Sequence, residues 1–283
     1  MPRVDQKMPA APSIAAGATT TFRLPIGRRY HKMQLIGSGT TFSPADLTEI
    51  RVLLNNKVVQ RFSGTDRDVM NQFDGRVAAA YSAASFHLEI PFDRYGILTK
   101  AGEEETAINT GSVEPNTGKS INAFSIEIDI ASSGPTGTLT LDLYATTSEQ
   151  LPNGPGTVPF ILKSTRDFSS AAQYEVSDLP RGGVTTQFMD RLFMKPSTST
   201  LDSFKVLANQ YTVFERTAQL NEREQRDGIR VPQSGWYCLD RTEHGYGGDP
   251  FDLRNLDDWR VQFTTGAAMS LTLYSHYLGG LGD

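Results

Sequence analysis

Leu24-Pro25-Ile26-Gly27, Arg51-Val52-Leu53-Leu54-Asn55 and Asp74-Gly75 mark out a stretch that the chain states twice. The second statement reads Leu179-Pro180-Arg181-Gly182, Lys205-Val206-Leu207-Ala208-Asn209 and Asp227-Gly228. Between the first two blocks, Ser43 and Leu47 flank a Pro-Ala-Asp turn, and they return as Ser197 and Leu201. The offset falls by one residue after the first block and by one more at the last, as loop trimming in a duplicated unit would leave it. Four matches in one order at a near-constant offset point to an internal duplication. Whatever the first half builds, the second half builds again.

The pattern inside the repeat is β. Phe22 and Leu24, then Met33 and Leu35, alternate with polar neighbours, the mark of half-buried strands. Ile50, Val52 and Leu54 share one face, Asn55-Asn56 supplies residues that tolerate positive φ, and Val58 to Phe62 returns: a hairpin. Phe204, Val206 and Ala208, followed by Asn209-Gln210 and then Tyr211 and Val213, echo it. A short helix is expected after each hairpin. In the first, Thr65-Asp66-Arg67-Asp68 fits a capping box, Val69, Met70 and Phe73 give the apolar stripe, and Gly75 ends it. In the second, Thr217 caps, Glu222 and Arg226 pair at i,i+4, and Gly228 ends a helix polar enough to lie on a surface.

Further alternating sets follow in both halves. Phe86, Leu88, Ile90 and Phe92 are followed by Phe124, Ile126, Ile128 and Ile130, then by Leu139, Leu141 and Leu143. Trp259, Val261 and Phe263 answer the second set, and Leu271 and Leu273 the third, so the repeat runs to the end of each half. The first copy carries the longer loop, Thr99 to Ser120, acidic at Glu103-Glu104-Glu105. Leu151-Pro152-Asn153-Gly154-Pro155-Gly156 reads as the boundary between copies.

These signals predict an all-β chain of two tandem eight-stranded jelly-roll β-sandwiches, each with a short helix. The expected division is an arm over 1–21, a first jelly roll over 22–150, a linker over 151–158 and a second jelly roll over 159–283. A length of 283 residues is ample for two cores, and 38% hydrophobic with 21% charged residues is a globular balance. The net charge of -5 lacks the basic excess of a nucleic-acid binder, so no sequence-specific contact with nucleic acid is expected. A single cysteine, Cys238, excludes a disulfide framework within the chain and reads as a small buried hydrophobe. No run of 18 apolar residues is present, and residues 1–20 lack the apolar core of a signal peptide.

Motifs for chemistry are weak. Gly111 to Ser120 resembles a phosphate loop, but position 113 is Val where the motif needs Gly, and a strand pattern follows instead of a helix. His31, His87, His244 and His276 are not at metal spacing. His87 and Glu89 share a strand face, as do Glu127 and Asp129; exposed faces of a sandwich account for both. The loop from Glu243 to Asp252 is rich in glycine and oxygen ligands, which makes Asp249 and Asp252 candidate calcium ligands. Arg23, Arg28, Arg29 and Lys32, with His31 among them, form a basic cluster that would suit anionic lipid headgroups.

Ser13-Ile14-Ala15-Ala16-Gly17, Phe22-Arg23-Leu24-Pro25-Ile26-Gly27 and Ile50-Arg51-Val52-Leu53 resemble the amino-terminal part of the major capsid proteins of corticoviruses. Those are tailless icosahedral bacteriophages with a lipid membrane under the protein shell. Val176-Ser177-Asp178-Leu179-Pro180-Arg181 is similar to the start of that family's second half. The likeness covers roughly residues 12–75 and 176–182. It implies a double jelly roll whose homotrimer presents six barrels as a pseudo-hexagon that tiles a shell. It also implies a place in the virion after synthesis in the host cytoplasm. The implied partners are further copies of the chain, neighbouring trimers, a vertex protein and components of the internal membrane, with no catalysis and no cofactor other than the calcium considered above. Related capsids stand their strands upright with the chain ends near the membrane, which would turn the arm and Arg23, Arg28 and Arg29 inward. Two other readings stay open. A tandem β-sandwich lectin or receptor-binding protein would need an exposed aromatic platform, whereas Trp259 alternates with Val261 and Phe263 and so reads as buried. A bicupin or glycosidase would need clustered histidines or a carboxylate pair in a cleft.

Overall fold

The computed structural model describes residues 2–11, 13–82, 84–94, 96–198, 201–243, 245 and 249–282. In chain order the first half forms β1 (Val4–Lys7), β2 (Thr19–Arg23), β3 (Arg28–Ser38), β4 (Leu47–Leu54), β5 (Lys57–Phe62), α1 (Gly64–Phe73), β6 (Ala80–Ser82), β7 (Ser85–Pro91), α2 (Lys100–Glu104), β8 (Ile108–Asn109), β9 (Phe124–Ile130) and β10 (Thr140–Glu149). The second forms β11 (Val158–Phe168), β12 (Ala172–Val176), β13 (Phe188–Pro196), β14 (Leu201–Ala208), β15 (Tyr211–Thr217), α3 (Ala218–Glu224), β16 (Tyr237–Asp240), β17 (Phe251–Asp252), β18 (Trp259–Thr265) and β19 (Met269–Gly279).

Sheet order shows the duplication directly. One sheet of the first half runs β1-β10-β3-β7, and its counterpart in the second runs β11-β19-β13-β16. The opposing sheets run β2-β9-β4-β5 and β12-β18-β14-β15. Taking each half's eight principal strands in chain order, both halves place them in the order 1-8-3-6 in one sheet and 2-7-4-5 in the other. That interleaving is two Greek keys wrapped into a jelly roll. Two accessory strands also match, β8 pairing with β3 and β17 with β13, whereas β6, which extends the first sheet beyond β7, has no counterpart among the described residues.

The repeated motifs hold equivalent positions. Asn55 and Asn56 have φ of 49° and 63°, and Asn209 and Gln210 have 47° and 70°. Successive residues at positive φ make the tight turn that matches strand twist. The Asn55 carboxamide oxygen accepts from Asn122 N and Ala123 N at 2.8 and 3.1 Å, and that of Asn209 accepts from Asp257 N and Asp258 N at 2.9 and 3.1 Å. One asparagine therefore both shapes the hairpin and pins the chain entering the neighbouring strand, twice over. Gly27 and Gly182, which close the two Leu-Pro turns, are both at positive φ.

Several expectations are corrected. Residues 1–21 are not an arm outside the core: β1 pairs along β10 from Val4↔Thr147 to Lys7↔Tyr144, Met8 is buried, and β2 begins at Thr19. Val4 to Lys7 are mostly exposed, so this edge strand is held by backbone bonds and carries little apolar pattern. Val158, placed in the linker, is buried and opens β11. The first helix is capped by Ser63, whose side chain accepts from Asp66 N, and not by Thr65; a Cβ at Gly64, its first residue, would collide with the Pro44 carbonyl. Thr217 does cap α3, by accepting from Leu220 N, but α3 ends at Glu224, so the Glu222–Arg226 pair spans its end. The long loop of the first half also holds α2, which no pattern signalled.

The halves are joined edge to edge. β11 meets β5 in parallel at Ile161↔Gln60, so one sheet of the first sandwich continues into a sheet of the second. The buried apolar side chains accordingly form one connected cluster through both sandwiches, with Met70 and Phe73 of α1 among them.

Candidate functional site

The seam between the sandwiches concentrates the buried charge. α1 belongs to the first sandwich and lies against β13 and β19 of the second. Its Asp66 takes Lys195 Nζ at 2.7 Å and the Tyr274 hydroxyl. Burial pushes the Asp66 carboxyl up, but Lys195 and Tyr274 outweigh it and hold it below the ordinary value. Asp74 closes the helix and faces Arg191 Nη1 at 2.7 Å. Arg191 Nε also bonds Asp240 at 3.1 Å, and Asp240 is shared with Arg230. Burial alone would raise Asp240; Arg191 and Arg230 instead take it down to about 2. Arg94, beyond β7, reaches Asp190 at 2.6 Å. Between these pairs, Phe73 meets Phe193 edge-on with ring centroids 5.2 Å apart. Gln60 adds a bond across the seam by donating to Pro159 O at 3.1 Å.

A second set of contacts involves both ends of the described chain. The linker is held by Asn109, whose carboxamide donates to Leu151 O and Gly154 O, and Lys119 Nζ donates to Leu281 O at 2.9 Å. Arg3 bonds Glu104 at 2.8 Å and Asp93 at 3.0 Å, and Arg29 adds a contact to Glu104 at 3.3 Å. Of the predicted basic cluster, Lys32 is paired with Glu89 at 3.3 Å. Arg23 is exposed at the end of β2 and Arg28 half-buried at the start of β3; neither has an ion-pair partner among the described residues. His31 sits at a bulge where the β10–β3 register slips between Thr146 and Thr147, and the bulge turns its ring inward. Its Nδ1 faces Asp93 at 3.1 Å and its Nε2 faces the Ser148 hydroxyl at 2.8 Å.

The remaining candidates are not brought together. Asp249 is bound by Arg241 and Asp252 by Arg254 at 2.7 Å, so each calcium candidate already has a cation. Arg254 holds Asp252 down to about 2. His244 and residues 246–248 of that loop lie outside the described residues. No group of three His, Cys, Asp or Glu fit to hold a metal occurs among the described residues. Glu127 and Asp129 both bind Arg51, at 3.2 and 2.7 Å, in a ladder across β4 and β9. His87 stacks on Tyr81 with centroids 4.6 Å apart, while Glu89 goes to Lys32 and Arg76. Residues 111–120 form a loop with no helix after it. Trp259 is fully buried, and Trp236 is half-buried against Tyr274 beneath Lys195. Burial pushes the Cys238 thiol well up, which suits a core residue and not a nucleophile.

Sequence reasoning missed Arg94, Asp190, Arg191 and Asp240. Asp190-Arg191 stands inside the otherwise apolar run Phe188 to Met194, and charge inside such a strand was the available signal.

Two sandwiches of one topology, fused edge to edge, are shared with known proteins. Residues 5–148 match the family described as viral coat protein P2 N-terminal domain, and residues 158–281 match viral coat protein P2 C-terminal domain. The chain belongs to the viral coat protein P2 family. Among solved structures it is similar to the major capsid protein P2 of bacteriophage PM2, at a TM-score of 0.84 and 16% identity, over 99% of this chain and 98% of that one. The major capsid protein of STIV matches at 0.67 and 13%, over 98% and 97%. A chain of the Sulfolobus Turreted Icosahedral Virus structure matches at 0.69 and 14%, over 97% and 90%. No curated protein sequence matches. This member of the coat protein P2 family thus has the double jelly-roll fold, and its place is the capsid of a virion. The likeness to corticovirus major capsid proteins read in the sequence agrees with that membership.

Proposed function

We propose that three copies of this coat protein assemble into a pseudo-hexagonal capsomer, and that such capsomers tile an icosahedral shell over an internal lipid membrane. The observation that carries the reading is the edge-to-edge fusion of two sandwiches with the same strand order. A threefold axis acting on one sandwich gives a triangle. Acting on a matched pair it gives six similar lobes, which can meet six neighbours. The seam supports this role, because α1 and its ion pairs make the two lobes one body. Negative-stain images of the purified protein test the reading: threefold particles with a six-lobed outline are expected, and particles without threefold symmetry would overturn it.

The chain-end region is read as the membrane-facing side, with Arg23 and Arg28 free to meet anionic headgroups. Neighbouring capsomers, a vertex protein and membrane components are the proposed partners. Assembly is the whole activity in this reading. His31 between Asp93 and Ser148 has the atom order of a hydrolytic relay, but Arg3 also binds Asp93, and the trio ties β3, β10 and the segment after β7 together.

A further inference from the structure

The seam uses one side of each sandwich and leaves the opposite sides free. Edge strand β5 and helix α1 of the first sandwich meet edge strand β11 and the outer face of β13 and β19 in the second. The matching parts that meet no other sandwich among the described residues are β15 and α3 of the second, and β1 with the outer face of β3 and β10 in the first. Both free edges carry exposed apolar side chains, Val4 on β1 and Tyr211 and Val213 on β15. Two unlike halves of one joint at opposite sides of a chain allow it to be repeated head to tail.

The duplication pairs each seam residue with a counterpart. Lys163 opposes Tyr274 across β11 and β19, with its ammonium over the ring 5.6 Å from the centroid; Lys7 opposes Tyr144 across β1 and β10 in the same way, at 6.0 Å. Two residues before each tyrosine, Thr272 pairs with Lys195 and Asp142 with Ile36. The register slips past Asp190 in one sheet and past His31 in the other, which aligns Arg191 with Lys32. Ile36 and Lys32 share the outer face of β3, opposite the buried Met33 and Leu35. On the helices, the Ser63 cap accepts from Asp66 N and the Thr217 cap from Leu220 N, so Leu220 stands where Asp66 does. Asp227-Gly228 repeats Asp74-Gly75, with both glycines at positive φ.

Two seam contacts then have counterparts on the free sides. Asp66 with Lys195 becomes Leu220 with Ile36, so both members of an ion pair are apolar together. Asp74 with Arg191 becomes Asp227 with Lys32, so acid stays opposite base. Surfaces that never met would have no reason to change in step, whereas a joint that paired Leu220 with a lysine, or Ile36 with an aspartate, would bury a charge without a partner. In the single chain Leu220 is 45% exposed and Ile36 is half-buried, and Asp227 and Lys32 rest on Arg230 and Glu89. We propose that β15 and α3 of one copy pack against β1 and the outer face of β3 and β10 of a second copy, which repeats the seam between chains with Leu220 against Ile36 and Asp227 facing Lys32. The proposal rests on the threefold assembly proposed above and adds which surfaces join.

Cysteine cross-linking of the full-length protein tests it. Leu220→Cys and Ile36→Cys are introduced together and oxidised with copper phenanthroline; Cys238 is buried and out of reach of the reagent. Denaturing gels should show covalent trimers for the double variant and single chains for either variant alone. A species of three chains by sedimentation with no covalent trimer on the gel would overturn this interface and leave the assembly standing. A species of one chain for the unaltered protein would overturn both. A second pair of variants needs no new cysteine. Leu220→Asp alone should weaken the association at least about tenfold, because its carboxylate would be buried against Ile36. Adding Ile36→Lys should restore it, since the two then repeat the Asp66–Lys195 pair of the seam. An unchanged association in Leu220→Asp, or no recovery in the double variant, would also overturn the proposal.

Discussion

Arg191 of the second sandwich places its Nη1 2.7 Å from the carboxylate of Asp74, the residue that closes α1 in the first. Both side chains are buried, so this pair joins the lobes where neither ion can recover its hydration. Removing one partner strands the other charge, which typically costs about 3–5 kcal/mol. Asp74→Asn is therefore expected to lower the unfolding free energy by about 3 kcal/mol, the lower end of that range, because Arg191 keeps Asp240 at 3.1 Å. The exposed Arg166–Asp178 pair is the control: Asp178→Asn should change stability by about 0.5 kcal/mol or less. Urea denaturation of both variants checks the contrast, and equal effects would contradict it.

Acid should weaken the same seam. Asp240 has an ordinary value of 3.8 and a folded value of about 2. A carboxylate lowered by folding adds stability that is fully present above its unfolded pKa and is lost as pH falls through the folded one. Asp66 is shifted in the same direction. The denaturation midpoint should thus drop steeply between pH 3.8 and about 2, the window set by Asp240. Asp240→Asn should be less stable at neutral pH and show a shallower acid limb. Parallel acid limbs for the two proteins would exclude this assignment.

How much of this was legible beforehand follows from the range of each interaction. The hairpins at Asn55-Asn56 and Asn209-Gln210 were readable because the turn demands residues that tolerate positive φ, a local requirement. Buried alternation in β7, β9 and β18 was readable for the same reason, since a strand between two environments writes them into its own sequence. β1 was missed because Val4-Asp5-Gln6-Lys7 is an exposed edge held by β10, far away in the chain. The start of α1 lies two residues before the one the capping-box pattern at Thr65 marks, because Ser63 can cap as well as Thr65 can and its side chain accepts from Asp66 N. The seam was hidden for a stronger reason. Asp74 and Arg191 come from different copies of the repeat, and neither position shows its partner in its own neighbourhood.

The chain-end region should prefer anionic membranes. Each basic residue near such a surface contributes about 1 kcal/mol. Reversing Arg23 and Arg28 to Glu should remove at least about 2 kcal/mol, a loss of about thirtyfold in affinity for phosphatidylserine-containing vesicles. Co-sedimentation with anionic and neutral vesicles checks it. Equal binding of the variant and the unaltered protein would turn Arg23 and Arg28 away from the membrane.

Ser148 should be unreactive. A fluorophosphonate probe labels a serine activated by a histidine relay, and none of the label should reach Ser148 despite the 2.8 Å contact to His31. Ser148→Ala should cost about 1 kcal/mol of stability, the ordinary loss for one hydrogen bond. Stoichiometric labelling at Ser148 would contradict the purely structural role given to this trio.

Assembly is the central claim, and velocity sedimentation of the purified chain tests it most directly. A capsomer held by interfaces of roughly 2,000 Å2 or more should sediment as one species of three chains, each of 31.1 kDa, across a wide concentration range. A folded species that stays at the mass of one chain at the highest concentration would contradict the account.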